Sequence, residues 1–437
     1  MSRGCGSGTR IRIRSGMEEN GVASEAGPAR ERRADGALRQ RAAAVIPGGM
    51  YGHLDANRMP DAYPQFFARG KGGRVWDVDG NEYIDLMCSW GPVVLGHQHP
   101  VVDEAVLRQL RDGDCLQGPS PSMVELAELM VQRVAHADWA MFCKNGTDAT
   151  TLAVTIARAA TGRRKLLIAR GAYHGAAPWC TPVLAGVTPE DRSNTLTFEW
   201  NDLPSVEAAV TNAAGDVAAI MVCPFRHDLR HDQELADPEF ARGLRRICDR
   251  IGAALILDDV RCGLRLDTRG SWEPLGVRPD LSAWSKAIAN GHAIAAVLGA
   301  DALRDAASSV FATGSFWFSA VPMAAAIATI NEMQRSDGIA TMVRAGTRLR
   351  QGLAEQALAH GVGVALTGPV QMPYLSFAND ADLATIRRWA AECVSRGLYL
   401  HPIHNWFLSA AHTDAYIDRA LEITDLAFAA VSHPVAV

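Results

Sequence analysis

The sequence predicts an α/β protein. Its large domain carries a mostly parallel sheet with helices on both faces, and a smaller α+β domain comes from the N- and C-terminal segments. Two observations predict this. Between residues 97 and 330, helical stretches alternate with short apolar runs of strand length. Beyond residue 330, helices and strands mix without that alternation. The length of 437 residues exceeds one small core and suits roughly two or three domains.

Residues 1–35 are Gly-, Ser-, Ala- and charge-rich without periodicity and read as a disordered extension. Four arginines and no acids in the first 16 residues superficially resemble a transit peptide, but the stretch has no apolar run. Translation from an upstream start before Met17 explains it equally simply. Residues 36–96 form an N-terminal segment belonging to the small domain. A helix over Gly36–Val45 stops at Pro47-Gly48-Gly49. Arg74–Asp85 reads as a hairpin turning at Asp79-Gly80-Asn81, whose residues tolerate positive φ.

Residues 97–330 form the large domain. Its helices are Pro100–Asp112, Ser122–Val134, Asp148–Ala160 and Pro238–Ile251. Its apolar runs are Trp139–Cys143, Lys165–Ala169, Val217–Cys223, Ala253–Asp258 and Ala293–Leu298. Pro322–Gln334 is a long helix leaving it. Residues 331–437 form the C-terminal small domain, with helices Asp382–Arg396 and Thr413–Val431 and strands near Gly363–Leu366 and Tyr374–Phe377.

Hydrophobic content of 48% and charged content of 21% describe an ordinary globular chain. A net charge of −5 gives no basic footprint for nucleic acid. No apolar run approaches the ~20 residues of a membrane helix. Nine cysteines, none spaced C-x-x-C, fit neither a disulfide framework nor a zinc ribbon and predict a reducing, cytoplasmic setting.

Of 43 basic residues only four are lysines, Lys71, Lys144, Lys165 and Lys286. Three sit among Arg, Gly or Asn. Lys286 interrupts the apolar segment Leu281–Gly291. An arginine cannot form a Schiff base; a partly desolvated lysine can, because burial lowers its pKa. Three further groups follow apolar runs, where ligands bind in open α/β sheets. Asn145-Gly146-Thr147 opens a helix and either holds an anion or simply caps it. Asp258 ends a buried strand and needs a partner: a metal, an arginine or a protonated ring nitrogen. Tyr173-His174-Gly175 supplies an aromatic that stacks on a flat ligand or covers core. Phosphate cup, carboxylate, stacking ring and lysine together match what pyridoxal phosphate requires.

The chain resembles the class-III, fold-type I aminotransferases that depend on pyridoxal phosphate, closest to the glutamate-1-semialdehyde 2,1-aminomutase branch. The resemblance runs from about Pro47 to Val431. It rests on Val75–Asp85, Ser89-Trp-Gly-Pro92, Leu95–Pro100, Tyr173-His-Gly175 and Ser285-Lys286. It implies a seven-stranded-type sheet in the large domain. It implies that Lys286 bonds the cofactor and shuttles a proton, that Asp258 bonds the pyridine nitrogen, and that Tyr173 and Val260 cover the two ring faces. His174 joins these cofactor contacts. Asn145, Gly146 and Thr147 correspond to the family's Ser-Gly-Thr phosphate loop. Ser315 corresponds to a hydroxyl reaching the phosphate of a neighbouring subunit, which implies a homodimer with shared active sites. Trp90 corresponds to a substrate-pocket aromatic.

The departures fall on the substrate side. The family's Glu-Pro-Val-Ala-Gly-Asn stands here as Cys223-Pro-Phe-Arg-His-Asp228. The segment from Tyr173 to Asn194 is shorter than the aminomutase counterpart. His401–Ser409 lacks the family's carboxylate, which leaves His404 as a substrate candidate. An arginine expected after Pro47-Gly-Gly49 is missing, and Arg58 is the nearest substitute. Arg226 and Arg230 could face the pocket in place of the lost glutamate. His227 and His231 read as a solvated loop rather than metal ligands, and no metal is expected. His97 and His99 read as caps before Pro100, and Cys223 as a buried filler. The resulting expectation is an aminotransferase moving an amino group from an amine or amino-acid donor to a carbonyl acceptor. The alternatives are an intramolecular aminomutase or a racemase on the same scaffold, and a non-catalytic pyridoxal-phosphate-binding protein.

Overall fold

The structure is a computed structural model and describes residues 30–432 together with the strand Ile11–Arg12. A seven-stranded sheet forms its centre. In chain order its strands are β1 (Trp139–Cys143), β2 (Lys165–Ala169), β3 (Thr195–Phe198) and β4 (Val217–Val222). β5 (Ala254–Asp258), β6 (Leu281–Trp284) and β7 (Ala295–Gly299) complete it. Across the sheet the order is β1-β7-β6-β5-β4-β2-β3. β7 runs antiparallel to both neighbours and the other pairings are parallel. Every residue of β4 and β5 is buried, because helices cover both faces. Each Val, Leu or Ile removed from water there contributes about 1.5–3 kcal/mol.

The five apolar runs of the sequence become β1, β2, β4, β5 and β7, with ends shifted by at most two residues. Two strands of this sheet escaped the sequence reading. β6 contains Ser282, which breaks the apolar pattern. Its hydroxyl is nevertheless buried and satisfied by Trp284 Nε1 at 2.7 Å and His136 Nε2 at 2.9 Å. β3 is a short edge strand with two threonines. The 22-residue helix Gly338–Ala359 also went unread, because its buried face includes the small residues Ala345, Gly346 and Ala357.

The predicted hairpin forms as Arg74–Asp77 against Glu82–Asp85, with Gly80 at φ 86° in the turn. Glu82–Asp85 then pairs in parallel with Leu398–Tyr399, which ties the N-terminal segment to the C-terminal one. The expected unstructured extension falls outside the described residues except at Ile11–Arg12 and from residue 30 on. Those residues are ordered. Ile11–Arg12 pairs with Val364–Thr367, and Arg30 donates to the carbonyls of Ser395 and Glu82. The first helix accordingly starts at Arg33 rather than Gly36. Its buried Asp35 accepts from the backbone of Gln65 and Phe66. All these partners are remote in sequence, which is why composition alone misses them. His99 stands at the N-cap position of the helix Pro100–Asp112 but its side chain makes no cap bond, and His97 lies before it. His97 instead bonds Asp85 at 2.8 Å, and His99 faces Glu332 at 3.8 Å.

A loop from Cys88 to Gly91 holds four consecutive residues at positive φ, three of them not glycine. Left-handed backbone costs roughly 1–2 kcal/mol per such residue, so other contacts must hold it. Arg265, whose side chain is fully buried, donates to the carbonyls of Gly91 at 2.7 Å, Val93 at 3.3 Å and Leu408. Asp85 accepts from the amides of Met87 and Cys88. Replacing Arg265 by Met leaves three carbonyls short of a donor. At about 1–3 kcal/mol for each buried group left unpaired, Arg265→Met should lower stability by at least ~3 kcal/mol. The urea unfolding midpoint measures this, and an unchanged midpoint would contradict the clamp.

Candidate active site

Five of the sheet's strands, β1, β2, β4, β5 and β6, end at one cavity of about 340 Å³. After β1, Asn145 caps the helix Gly146–Thr161. Its side chain accepts from Asp148 N, and Asp148 accepts in return from Asn145 N. The cap and the anion cup are therefore both present, but on different atoms. Asn145 Oδ1 is committed to its own helix, while the free first-turn N–H groups and the Thr147 hydroxyl are left for an anion. The cup is tight. A Cβ on Gly146 would stand 2.8 Å from Val260 Cγ1, and one on Gly175 would stand 2.7 Å from Thr147 Oγ1.

After β2 come Tyr173, half-exposed and lining the cavity, and His174, buried. At the end of β5, Asp258 lies 2.7 Å from His174 Nδ1 through Oδ2 and accepts from Val260 N at 3.2 Å through Oδ1. A proton on Nδ1 lets the imidazole donate to the carboxylate. His174 Nε2 is left buried with no partner. Cys223, after β4, places its sulfur 3.8 Å from the same imidazole. Burial, and then the Asp258 charge, hold that thiol well above its ordinary pKa. It is a neutral filler, as the sequence suggested. His174, Cys223 and Asp258 offer three donor atoms within 4.8 Å of one another. The imidazole and carboxylate already use two of these on each other. Asp259 turns the opposite way and accepts from Ser271 N and Oγ.

Lys286 follows β6 in a left-handed conformation, φ 44°, and starts a short 3₁₀ turn. Asn290 ends that turn. Its carboxamide accepts from Val94 N and Leu95 N and donates to Gly96 O, which sews the lysine loop to the loop after Trp90. Lys286 Nζ donates to the Trp90 carbonyl at 2.8 Å. Burial, and then the charges of Arg261 and Arg265, pull the Lys286 amine down to about 7, against the opposing pull of Asp258.

A neutral wall adjoins the lysine. Trp90 makes edge contacts with His53 at 4.7 Å, His404 at 4.8 Å and His401 at 5.1 Å between ring centres. Burial drives His401 down to about 3 and His404 well below its ordinary value, and lowers His53. All three are uncharged at neutral pH.

The structure thus gathers Asn145, Gly146, Thr147, Tyr173, His174, Asp258, Val260 and Lys286 around one cavity and brings Trp90 beside it through the Lys286 bond. His404 packs on Trp90. Two substrate candidates fall elsewhere. Arg58 lies on an exposed 3₁₀ turn, ion-paired with Asp55 at 3.3 Å. Arg226 pairs with Asp228 at 2.8 Å and lines a separate cavity with Arg230 and His231. Strand alternation explains this, because Phe225 takes the inward position and Arg226 the next one. His227 and His231 also part company. His227 lines the Lys286 cavity and His231 the other. Ser315 is exposed and away from the cavity. The sequence reading passed over Arg261 and Pro92, which also line the cavity. The available signal was an arginine directly after Asp-Asp-Val at the mouth of a buried strand.

Residues 56–411 match the family model described as aminotransferase class-III. An aminopentol aminotransferase of Sphingopyxis macrogoltabida is 50% identical over 394 residues, covering 90% of this chain and 93% of that protein. A glutamate-1-semialdehyde 2,1-aminomutase of Bordetella avium (strain 197N) is 33% identical over 419 residues, covering 90% and 98%. Among solved structures, the FumI protein of Sphingopyxis sp. MTA144 in its PLP internal aldimine form superposes with a TM-score of 0.90 at 50% identity, covering 91% of this chain and 96% of that one.

The residues fit pyridoxal phosphate: a phosphate-sized cup at a helix N-terminus, a buried carboxylate–imidazole pair, and a lysine whose amine is neutral near physiological pH. Only the neutral amine attacks an aldehyde. The rate at which the cofactor-free protein takes up pyridoxal phosphate should therefore climb with pH and level off above about 7. Absorbance-monitored uptake across pH measures it, and a midpoint near the ordinary lysine value of 10.5 would contradict the burial argument. Asn290→Ala should leave two buried amides and one carbonyl unpaired, cost at least about 2 kcal/mol and slow that uptake, read by urea unfolding and the same assay.

Proposed function

The chain belongs to the class-III aminotransferase family, and from that premise we propose which residues carry its reaction and which amines it takes. It is a pyridoxal-phosphate-dependent aminotransferase. The cofactor, when bound, carries the amino group and absorbs the electrons released at the reacting carbon. Lys286 supplies the amine that holds the cofactor's aldehyde. Lys286 Nζ, when free, would take and return the proton of the donor's reacting carbon. Its lowered pKa suits both duties. Asp258, braced by His174, would keep the ring nitrogen protonated. Tyr173 and Val260, which line the same cavity, would cover the two faces of the ring. The amides of Gly146 and Thr147 and the Thr147 hydroxyl bind phosphate, and Asn145 holds that helix start in shape.

The donor is an amine whose reacting carbon bears no carboxylate, an amino alcohol of the aminopentol kind. The observation that carries this is the wall of Trp90, His53, His401 and His404, which is neutral at pH 7. Imidazoles there donate to and accept from hydroxyl groups and give a carboxylate no charge to pair with. The similarity to an aminopentol aminotransferase supports the same reading.

The working unit is a homodimer. Ser315 lies between Phe311, 93% exposed, and Phe318, 37% exposed, with Phe316 beside it at 64%. A second copy would cover this apolar surface and receive Ser315 at its phosphate. Sedimentation should give twice the chain mass, and Ser315→Ala should weaken cofactor retention.

The deciding experiment is an absorbance spectrum of purified protein given single donors without acceptor. A visible cofactor band that an aminopentol bleaches to a stable amine form supports the donor assignment. A band moved by 2-amino acids but not by amino alcohols overturns it. Turnover without any acceptor would instead indicate a mutase. Lys286→Ala should lower turnover by at least about 10³-fold, the low end of what a residue serving as both nucleophile and base contributes; retained activity would refute its role.

A further inference from the structure

Cys223 has no part in the reaction proposed above, yet it stands beside two residues that do. Its sulfur lies 3.8 Å from His174 Nδ1, and Asp258 Oδ2 lies 2.7 Å from the same nitrogen. Among the described residues, this is the one group of three His, Cys, Asp or Glu side chains whose donor atoms all fall within 4.8 Å of one another. All three side chains are buried, and all three line the Lys286 cavity. They lie at or after the ends of β2, β4 and β5, which are adjacent in the sheet, so no spacing in the sequence announces them.

One sulfur, one imidazole nitrogen and one carboxylate oxygen are the donors of a zinc site that keeps a fourth position open. Tetrahedral zinc, at its usual bond lengths of about 2.0–2.3 Å, separates its ligand atoms by roughly 3.3–3.6 Å. The Cys223–His174 separation of 3.8 Å is already close to that. The His174–Asp258 contact must lengthen from 2.7 Å to about 3.3 Å. The protons balance. His174 now donates to Asp258 from Nδ1, and its Nε2 is buried without a partner. Carrying the proton on Nε2 instead frees Nδ1 for the metal and leaves the ring neutral. The Cys223 thiol gives up its proton to solvent. Burial, and then the Asp258 charge, oppose that loss in the metal-free protein, and a divalent ion at the sulfur offsets both. The thiolate and the carboxylate then cancel the two charges of the ion, so the buried complex carries no net charge. The fourth position faces the cavity and takes a water.

We propose that in the cofactor-free protein His174, Cys223 and Asp258 bind a zinc ion, and that zinc and pyridoxal phosphate exclude each other. The exclusion, and not the metal binding, rests on the aminotransferase reading above. Asp258 cannot serve the ring nitrogen and the ion at once, and the ring needs the same cavity. Zinc then limits how much of the chain becomes active enzyme, while the loaded enzyme is indifferent to it.

The test titrates the full cofactor-free chain with zinc in a calorimeter, and separately with cobalt(II), whose bond to a thiolate adds a charge-transfer band in the near ultraviolet. One zinc per chain and the cobalt band are expected. Cys223→Ser should remove the band and weaken zinc by more than roughly 100-fold, since loss of a mere supporting contact to a metal ligand already costs about 10–100-fold. Uptake of pyridoxal phosphate by Cys223→Ser shows that the variant is folded, and the native measurements decide the proposal without it. In the native protein one equivalent of zinc should slow that uptake, and a chelator should restore it. Protein already loaded with cofactor should show no cobalt band. A cofactor-free protein that binds no stoichiometric zinc overturns the proposal. So does zinc binding that Cys223→Ser leaves unchanged, which would place the ion elsewhere. A band that depends on Cys223 yet persists in the loaded protein overturns the exclusion, and with it the place given to Asp258 against the ring nitrogen. Failure of the aminotransferase reading itself is separable. It would show as native protein that takes up no pyridoxal phosphate in metal-free buffer.

Discussion

A buried arginine with no acid beside it must find oxygen elsewhere, and Arg265 finds it in three backbone carbonyls. That constraint orders much of the molecule. The carbonyls belong to the loop after the N-terminal hairpin and to the segment near residue 408, so one side chain from the turn after β5 holds an N-terminal and a C-terminal segment together. The loop so held is the one with four residues in left-handed backbone, and it delivers the Trp90 carbonyl to Lys286. Asn290 repeats the arrangement from the lysine's own turn. The amine is thus positioned by polar contacts to backbone, which tolerate little displacement.

The site's electrostatics follow from what surrounds that amine. Burial removes water, Arg261 and Arg265 add positive charge, and Asp258 opposes them. The balance favours a neutral nucleophile at a pH where an exposed lysine is almost wholly charged. Burial, and then the Arg261 charge, likewise lower the neighbouring His227 and His404 well below their ordinary values. Uncharged rings thus adjoin the lysine, and the Arg261 guanidinium, bonded to Asn405, lines its cavity.

The departures from the family pattern have a common physical sense. Cys223 stands where the resemblance leads one to expect a carboxylate. It packs against His174 and Asp258 as a small neutral group. A second carboxylate there would crowd Asp258, and either one would tend to take up a proton. The position expected to carry an acid near residues 401–409 holds histidines and Asn405, and Asn405 receives Arg261. Acidic counter-charges are thus lacking at both places where Arg261 could have been neutralised.

The chain order of strands and helices was legible in the sequence, because apolar runs and helical periodicity are local properties. So was the gathering of Asp258, Lys286, Tyr173 and the Asn145–Thr147 turn at one cavity, since each lies at or after the end of a strand. β6 and the helix Gly338–Ala359 were not legible, because buried serine and small residues acquire apolar surroundings only from their neighbours. The same limit governed the substrate residues. Arg58, Arg226 and Arg261 are equivalent cations in a sequence. Pairing with Asp55 and Asp228 draws the first two to the outside, and a lack of acids leaves the third facing the cavity. Which charge stays unpaired depends on distances between remote segments, and only the tertiary structure sets those.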